Sequence, residues 1–366
     1  KQEKIYSFLI LDLINRIFLG MKYCIIFVLS LLWIGCANIV PPSGGPQDKE
    51  MPTLISSLSK FNEDYSEKNI IFEFNEKIQE HLFVGSFYCS PPLKEVSHKV
   101  NGKEIYITIT DSLSNDLKYI ISLNNCIKDI TEGNVLEELE YIIPPKDTTL
   151  NFYYLNAKIE NALTKENENN HWVLLYNSDV PDSLIFKITP NYVSKTNKSG
   201  FANFNNLIKG SYKITSLSGD DYIYHEDDII SFSDQLIRAG TDTTIDLFTF
   251  DPIYKIDSIE IIKDTTITTG GSLTLKSDFS GNTIVQLLKG SKVYIQEKFE
   301  SNTDFTLKNI PTGEYTLRAW GDKNGNTLWD SGSWIEKRQP EKMRYYSEKI
   351  TVRENWNLEL EWFIEE

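Results

Sequence analysis

The chain has 366 residues, 37 Lys and Arg against 52 Asp and Glu, and a formal net charge of −15. That length suits two to three domains rather than one small sandwich. The acidic balance argues against nucleic acid as a partner, because phosphate binding needs clustered Lys and Arg.

The first twenty residues hold an apolar stretch broken by Asp12, Asn15 and Arg16, a poor membrane span because charges inside a bilayer are costly. Met21 opens a better pattern. Lys22 supplies a positive start, Cys24 to Ile34 an apolar run of signal-peptide length, and Gly35-Cys36 follows. Gly35-Cys36 resembles a bacterial lipobox, with Trp33 where Leu is usual. The expectation is that residues 1–36 are upstream residues plus a lipoprotein signal peptide starting at Met21, with Cys36 lipidated. The alternative is an uncleaved anchor helix. The Pro/Gly-rich stretch that follows cannot continue a helix, so residues 37–52 read as an extended tether.

From about residue 53 the pattern is short runs of period two, with no long 3.6 period. Ile105, Ile107 and Ile109 alternate with Tyr106, Thr108 and Thr110. Trp356, Leu358, Leu360 and Trp362 alternate with Asn357, Glu359 and Glu361. Each predicts a strand with one buried face. Lys289-Gly290-Ser291-Lys292 between two apolar runs predicts a hairpin. Pro144-Pro145 and Asp251-Pro252 punctuate the chain. The fold expected is all-β, with three tandem β-sandwich domains at 53–145, 146–252 and 253–366. Phe204 to Tyr212 matches Leu307 to Tyr315, each reading as strand, Gly-containing turn, strand. The second and third domains are therefore expected to share a topology, with Gly at a left-handed turn position.

Cys89 and Cys126 fall in the first domain. In an oxidising compartment they can pair as a disulfide; the alternative is two separate buried thiols. No CxxC spacing occurs, which excludes a zinc ribbon. The sharpest candidate site is Asp322-Lys323-Asn324-Gly325-Asn326-Thr327-Leu328-Trp329-Asp330. Asp322, Asn324, Asn326 and Asp330 place oxygens at relative positions one, three, five and nine, the spacing of a calcium ladder, with a carbonyl expected from Leu328 and a further ligand from Glu336. Ser333 stands where an EF-hand carries Glu, and Asp and Asn are also what an ordinary turn selects. Calcium is the one cofactor this pattern suggests. Trp329 and Trp334 flank the loop, either as exposed binding aromatics or as a cluster that buttresses it. Trp356 and Trp362 are expected in the core. Glu226, Asp227 and Asp228 read as a solvated loop.

Asn69-Ile70-Ile71-Phe72-Glu73-Phe74-Asn75-Glu76, Tyr119-Ile120-Ile121 and Lys128-Asp129-Ile130-Thr131-Glu132-Gly133-Asn134-Val135 resemble the bacterial Ig-like domain of surface proteins. The last stretch is one residue longer than the usual Asp-x-x-Gly-Asn. Gly200 to Tyr212 is similar to carboxypeptidase-regulatory and prealbumin-like sandwiches, with one extra residue between Phe201 and Phe204. Pro41 to Asp48 looks like the start of Ig-like-domain lipoproteins of Bacteroidota. The resemblance implies an outer-membrane lipoprotein, on either face of that membrane, and no enzymatic role. The residues agree with the last point: no HExxH, GxSxG, GxGxxG or GxxxxGK is present. The function expected is a non-enzymatic structural or docking component of the envelope, held to the membrane by a lipid and meeting an envelope protein. The alternative is a surface module that binds glycan or protein through the C-terminal domain.

Overall fold

The computed structural model describes residues 19–22, 47–61, 68–253, 270–277, 282–300 and 305–363. Cys36, Cys24 and residues 23–46 lie outside them. Among the described residues no helix is long and apolar enough to cross a membrane. The chain divides into two compact units, Lys1–Lys49 and Glu50–Glu366. In the first, residues 19–22 are helical. The second is built of β-strands, and each of its sheets draws strands from only one of the segments 54–143, 153–249 and 271–362.

The first sandwich sets a four-stranded antiparallel sheet of β1 (Leu54–Phe61), β2 (Lys68–Phe74), β5 (Val96–Asn101) and β6 (Glu104–Ile109), in the order β1-β2-β6-β5, against smaller pairings. These are β3 (Ile78–Glu80) with β8 (Ile127–Asp129), and β7 (Tyr119–Ser122) between β4 (Tyr88–Ser90) and β9 (Glu140–Ile143). The predicted alternation holds. Ile105, Ile107 and Ile109 are buried and face Ile70, Phe72 and Phe74 in one core. Cys89 and Cys126 are both buried free thiols in that core, so the disulfide is not formed. Each packs as a small hydrophobe, and the Cys126 Sγ–H donates to the Asn124 carbonyl at 3.5 Å. Burial pushes both thiols up to about 12, which leaves them protonated.

The second and third sandwiches share one topology. In the second, β10 (Tyr153–Asn161) pairs antiparallel with β13 (Phe201–Leu207) and parallel with β17 (Thr244–Thr249). In the third, β18 (Gly271–Ser277) does the same with β21 (Phe305–Ile310) and β25 (Asn357–Trp362). The facing sheets also match. β11 (Trp172–Asn177) lies between β12 (Tyr192–Lys195) and β14 (Ser211–Leu217), whose other edge carries the short β15 (Ile230–Phe232) and β16 (Ile237–Arg238). β19 (Asn282–Lys289) lies between β20 (Lys292–Glu300) and β22 (Gly313–Gly321), whose other edge carries β23 (Arg344–Tyr345) and β24 (Ile350–Val352). Even the register shift recurs, between Tyr153 and Leu155 and between Gly271 and Leu273. The matched tyrosines close matched corners: Tyr212 donates its hydroxyl to the Ile208 carbonyl and Tyr315 to the Pro311 carbonyl, both at 2.9 Å. The two glycines differ: Gly313 takes positive φ, 157°, as expected, whereas Gly210 does not, and in the third sandwich Asn309 is left-handed as well, at φ 57°. The β19–β20 hairpin turns at Gly290, φ 63°, as predicted.

The central strands of the two large sheets carry apolar residues on both faces. Trp172 to Tyr176 is a continuous run with every residue buried, the mark of a strand covered on both sides. Val173 and Leu175 point into the sandwich core, while Trp172, Leu174 and Tyr176 belong to a second cluster. In the third sandwich Val285 and Leu287 face the core and Ile284 joins another cluster outside it. What covers those outer faces decides the architecture.

Candidate functional site: the acidic loop and the interdomain joints

The segment between β22 and β23 carries the predicted ladder. Asp322 is buried, and its carboxylate accepts the backbone N–H groups of Gly325 (2.7 Å), Asn326 (3.2 Å) and Thr327 (2.9 Å). Asn324 and Asn326 donate their side-chain amides to the same oxygen of Asp330, at 2.7 and 2.9 Å. Their own oxygens accept the N–H groups of Asn326 and Leu328. The structure thus brings the four residues together, with their oxygens engaged inside the loop. The Leu328 carbonyl accepts the Trp320 indole N–H at 3.3 Å. Among the described residues no group of three or more His, Cys, Asp or Glu side chains converges as a metal cluster.

The same device closes the first sandwich. Asp129, buried, accepts the N–H groups of Glu132 (2.7 Å), Gly133 (2.9 Å) and Asn134 (2.8 Å). Burial opposes ionisation there, but the amide donors outweigh it and hold the carboxyl below its usual range. Asp322-Lys323-Asn324-Gly325-Asn326 is itself an Asp-x-x-Gly-Asn sequence, and Gly133 and Gly325 both take positive φ, 82° and 77°.

Glu336, nominated as a further ligand, points elsewhere and pairs with Arg338 at 3.3 Å. The acid that ties the loop down is Glu341, which sequence reasoning missed. Its buried carboxylate accepts Lys323 N–H at 2.9 Å and Asp330 N–H at 3.1 Å. Burial raises its pKa above the usual carboxylate range, with Asp330 and Asp322 adding to the rise.

Trp329 is buried and donates its indole N–H to the Glu341 carbonyl at 2.6 Å. It joins Ile284, Trp320, Met343 and Ala162 in one cluster across the joint between the second and third sandwiches. Backbone and side chain lock the same joint: Met343 N–H to the Ala162 carbonyl (3.2 Å), the Tyr345 hydroxyl to the Leu163 carbonyl (3.1 Å), and the Ser331 hydroxyl to the Asp251 carbonyl (2.7 Å). Trp334, half-buried, packs edge-on to Phe186 and Phe232 of the second sandwich, with ring centroids 5.2 and 5.1 Å apart. Trp329 is therefore buried in the joint, and Trp334 packs at its margin. Trp362 is buried, whereas Trp356 is 61% exposed, because it precedes β25 and stands outside the alternation.

The joint between the first and second sandwiches covers the upper part of the other sheet. Tyr88 reaches the second sandwich and lies 5.5 Å edge-on to Trp172, which meets Tyr222 at 5.4 Å. The buried Asn206 donates to the carbonyls of Ser90 (2.6 Å) and Lys118 (3.1 Å). The Lys195 ammonium donates to the Gly85 carbonyl and to Asn170 Oδ1 and sits over the Trp172 ring. Burial lowers its pKa to about 8. In the loop expected to be fully solvated, Glu226 and Asp227 are exposed, but Asp228 is buried, accepting His225 N–H at 2.7 Å and the Ser218 hydroxyl at 3.1 Å. The advance signal for these joints lay in the central strands, an unbroken apolar run from Trp172 to Tyr176 and, in β19, a run from Ile284 to Leu288 interrupted by Gln286.

A family model described as a bacterial Ig-like domain matches residues 48–152. The first sandwich is thus similar to that family. No curated protein matches the chain. Among solved structures, the minor pilin GBS52 of Streptococcus agalactiae is 12% identical, with 58% of this chain and 94% of that one covered and a TM-score of 0.20. The Bacillus anthracis TIE protein is 12% identical over 88% of this chain and 59% of its own, TM-score 0.19. A fragment of Escherichia coli alpha-2-macroglobulin is 11% identical over 81% and 97%, TM-score 0.22.

Proposed function

We propose that the chain is a non-enzymatic, lipid-anchored component of a bacterial outer membrane, in which three sandwiches act as a spacer with docking surfaces. One observation carries the spacer reading: the outer faces of both large sheets are buried against neighbouring segments, so that Glu50–Glu366 is one compact unit. Domains joined by small polar interfaces move relative to one another by default, and apolar joints oppose that. The anchor reading is supported by Lys22, the apolar run to Ile34, Gly35-Cys36 and the tether after it. The resemblance to Bacteroidota lipoproteins supports the outer membrane as its location and an envelope protein as its partner.

Two measurements on the full chain test this. Cys36→Ala should lose incorporation of labelled fatty acid and leave the membrane fraction; label that persists in the variant defeats the anchor. Crosslinking and pull-down from native membranes should recover one stable protein partner.

Calcium at the 322–330 loop is a narrower proposal. It is supported by the convergence of Asp322, Asn324, Asn326 and Asp330 on one turn. It requires the two Asn side chains to turn their oxygens, in place of their N–H groups, toward the ion beside Asp330.

A further inference from the structure

A cavity of about 450 Å³ lies where the loop of the third sandwich crosses the outer face of β14. That size falls in the range of small-ligand sites. Its walls are apolar and aromatic: Phe232 and Leu236 from the second sandwich, and Trp334 from the third. Thr215 lies in its floor, and the Thr215 hydroxyl is buried with no hydrogen-bond partner in the protein. A buried hydroxyl left unpaired costs free energy, so a group that completes it is favoured there.

The charged residues balance. Lys213 donates to Asp182 at 2.7 Å, and Lys337 lies 3.5 Å from the same carboxylate. Asp234 accepts from Gln339 at 3.0 Å. Two ammonium groups and two carboxylates line one cavity, and both ammonium groups already have a carboxylate, so the site does not select an anion or a cation. The edge beside it does not suit an added peptide strand either, because 233–236 interrupts the pairing of β14 between β15 and β16. An extended peptide needs an unbroken edge.

We propose that this cleft binds a neutral saccharide unit. A pyranose ring offers an apolar face to the Phe232, Leu236 and Trp334 wall, and hydroxyls to the rim carboxylates and, after rotation about χ1, to Thr215. Lys337 covers the Trp334 ring, 2.8 Å from its centroid, and lies 5.7 Å from Phe232 and 3.5 Å from Asp182; a saccharide takes its place on the ring as its flexible stem swings the ammonium toward solvent. The inference is independent of the spacer role, because either can fail alone.

The test is calorimetric titration of the full chain, purified in detergent, with cellotetraose, chitotetraose and maltotetraose as separate probes. At least one should bind saturably. Thr215→Val, which removes the hydroxyl and keeps the shape, should weaken that binding about tenfold. Leu236→Trp, placed at the half-exposed rim to fill the cleft, should abolish it with the melting temperature unchanged. No saturable binding by any of the three probes, or binding that survives both substitutions, overturns the proposal.

Discussion

In the second sandwich the segment after β14, residues 218–229, turns toward the first sandwich, with Asp220 lying against Gly85. In the third, the equivalent segment after β22, residues 322–343, turns onto the second. The two joints use corresponding parts of a repeated fold, yet they are closed by different chemistry. The later joint satisfies its indoles, Trp320 on Leu328 and Trp329 on Glu341. The earlier one leaves the Trp172 indole N–H and Asn206 Oδ1 buried without partners and relies on side chains donating to carbonyls of the first sandwich. The interface that grows around a long insertion places a partner for both of these buried indoles, although the Thr215 hydroxyl beneath it stays unpaired. One built from short elements accepts a few unpaired atoms in exchange for apolar contact.

Deleting a buried indole has the largest effect on that contrast. Trp329→Ala should cost about 3–5 kcal/mol, the usual range for a buried aromatic. The milder pair is more telling. Trp329→Phe strands the Glu341 carbonyl and should cost about 1–3 kcal/mol beyond the lost contact area. Trp172→Phe removes an unsatisfied donor and should cost less. Denaturation midpoints of both variants decide it, and equal losses would break the contrast.

Steric wedges come next. A Cβ at Gly332 would lie 2.5 Å from the buried Phe250 ring, and one at Gly85 would lie 2.9 Å from the Asp220 carbonyl oxygen. Each Gly→Ala change should destabilise by about 1–3 kcal/mol through overpacking. Gly85→Ala adds the strain of φ +85°, and its close neighbour is backbone, which yields less than a side chain. Hydrogen exchange should then rise at the altered joint and stay unchanged at the other.

Calcium is the gentlest probe. If the 322–330 loop takes the ion, saturating calcium stabilises by mass action, by about 2.7 kcal/mol at a hundred times the dissociation constant. The melting temperature then rises by a few degrees, and Asp330→Ala removes that increment. A melting temperature equal in calcium and in chelator leaves the loop closed by its own hydrogen bonds, as the Asp129 turn is in the first sandwich.

Much of this was readable along the chain. Ile105, Ile107 and Ile109 announced a half-buried strand, Gly290 a tight hairpin, and the Phe204–Tyr212 and Leu307–Tyr315 match a repeated topology. Asp322, Asn324, Asn326 and Asp330 do meet in one loop, because their spacing is short enough to be set by a single turn. Where local reasoning failed, the missing term was a distant partner. Trp356 kept the period of β25 but fell just before the strand. Asp228, taken for a solvated acid, is buried by Ser218 and His225. The ladder was extended to Glu336, but it is Glu341, eleven residues past Asp330, that closes the loop.

What the sequence determined by itself is therefore the strand inventory, the turns and the repeat, since each depends on residues a few positions apart and on a side-chain period of two. Only the tertiary structure decided what covers the second face of Trp172 to Tyr176, where Trp334 goes, and that a cleft opens above Thr215. Those outcomes rest on pairings such as Asn206 with Ser90, Gln339 with Phe232 and Tyr345 with Leu163, which are 116, 107 and 182 residues apart. An apolar run states that a face must be buried; the partner that buries it is chosen by shape and hydrogen-bond geometry that exist only after the sandwiches have formed.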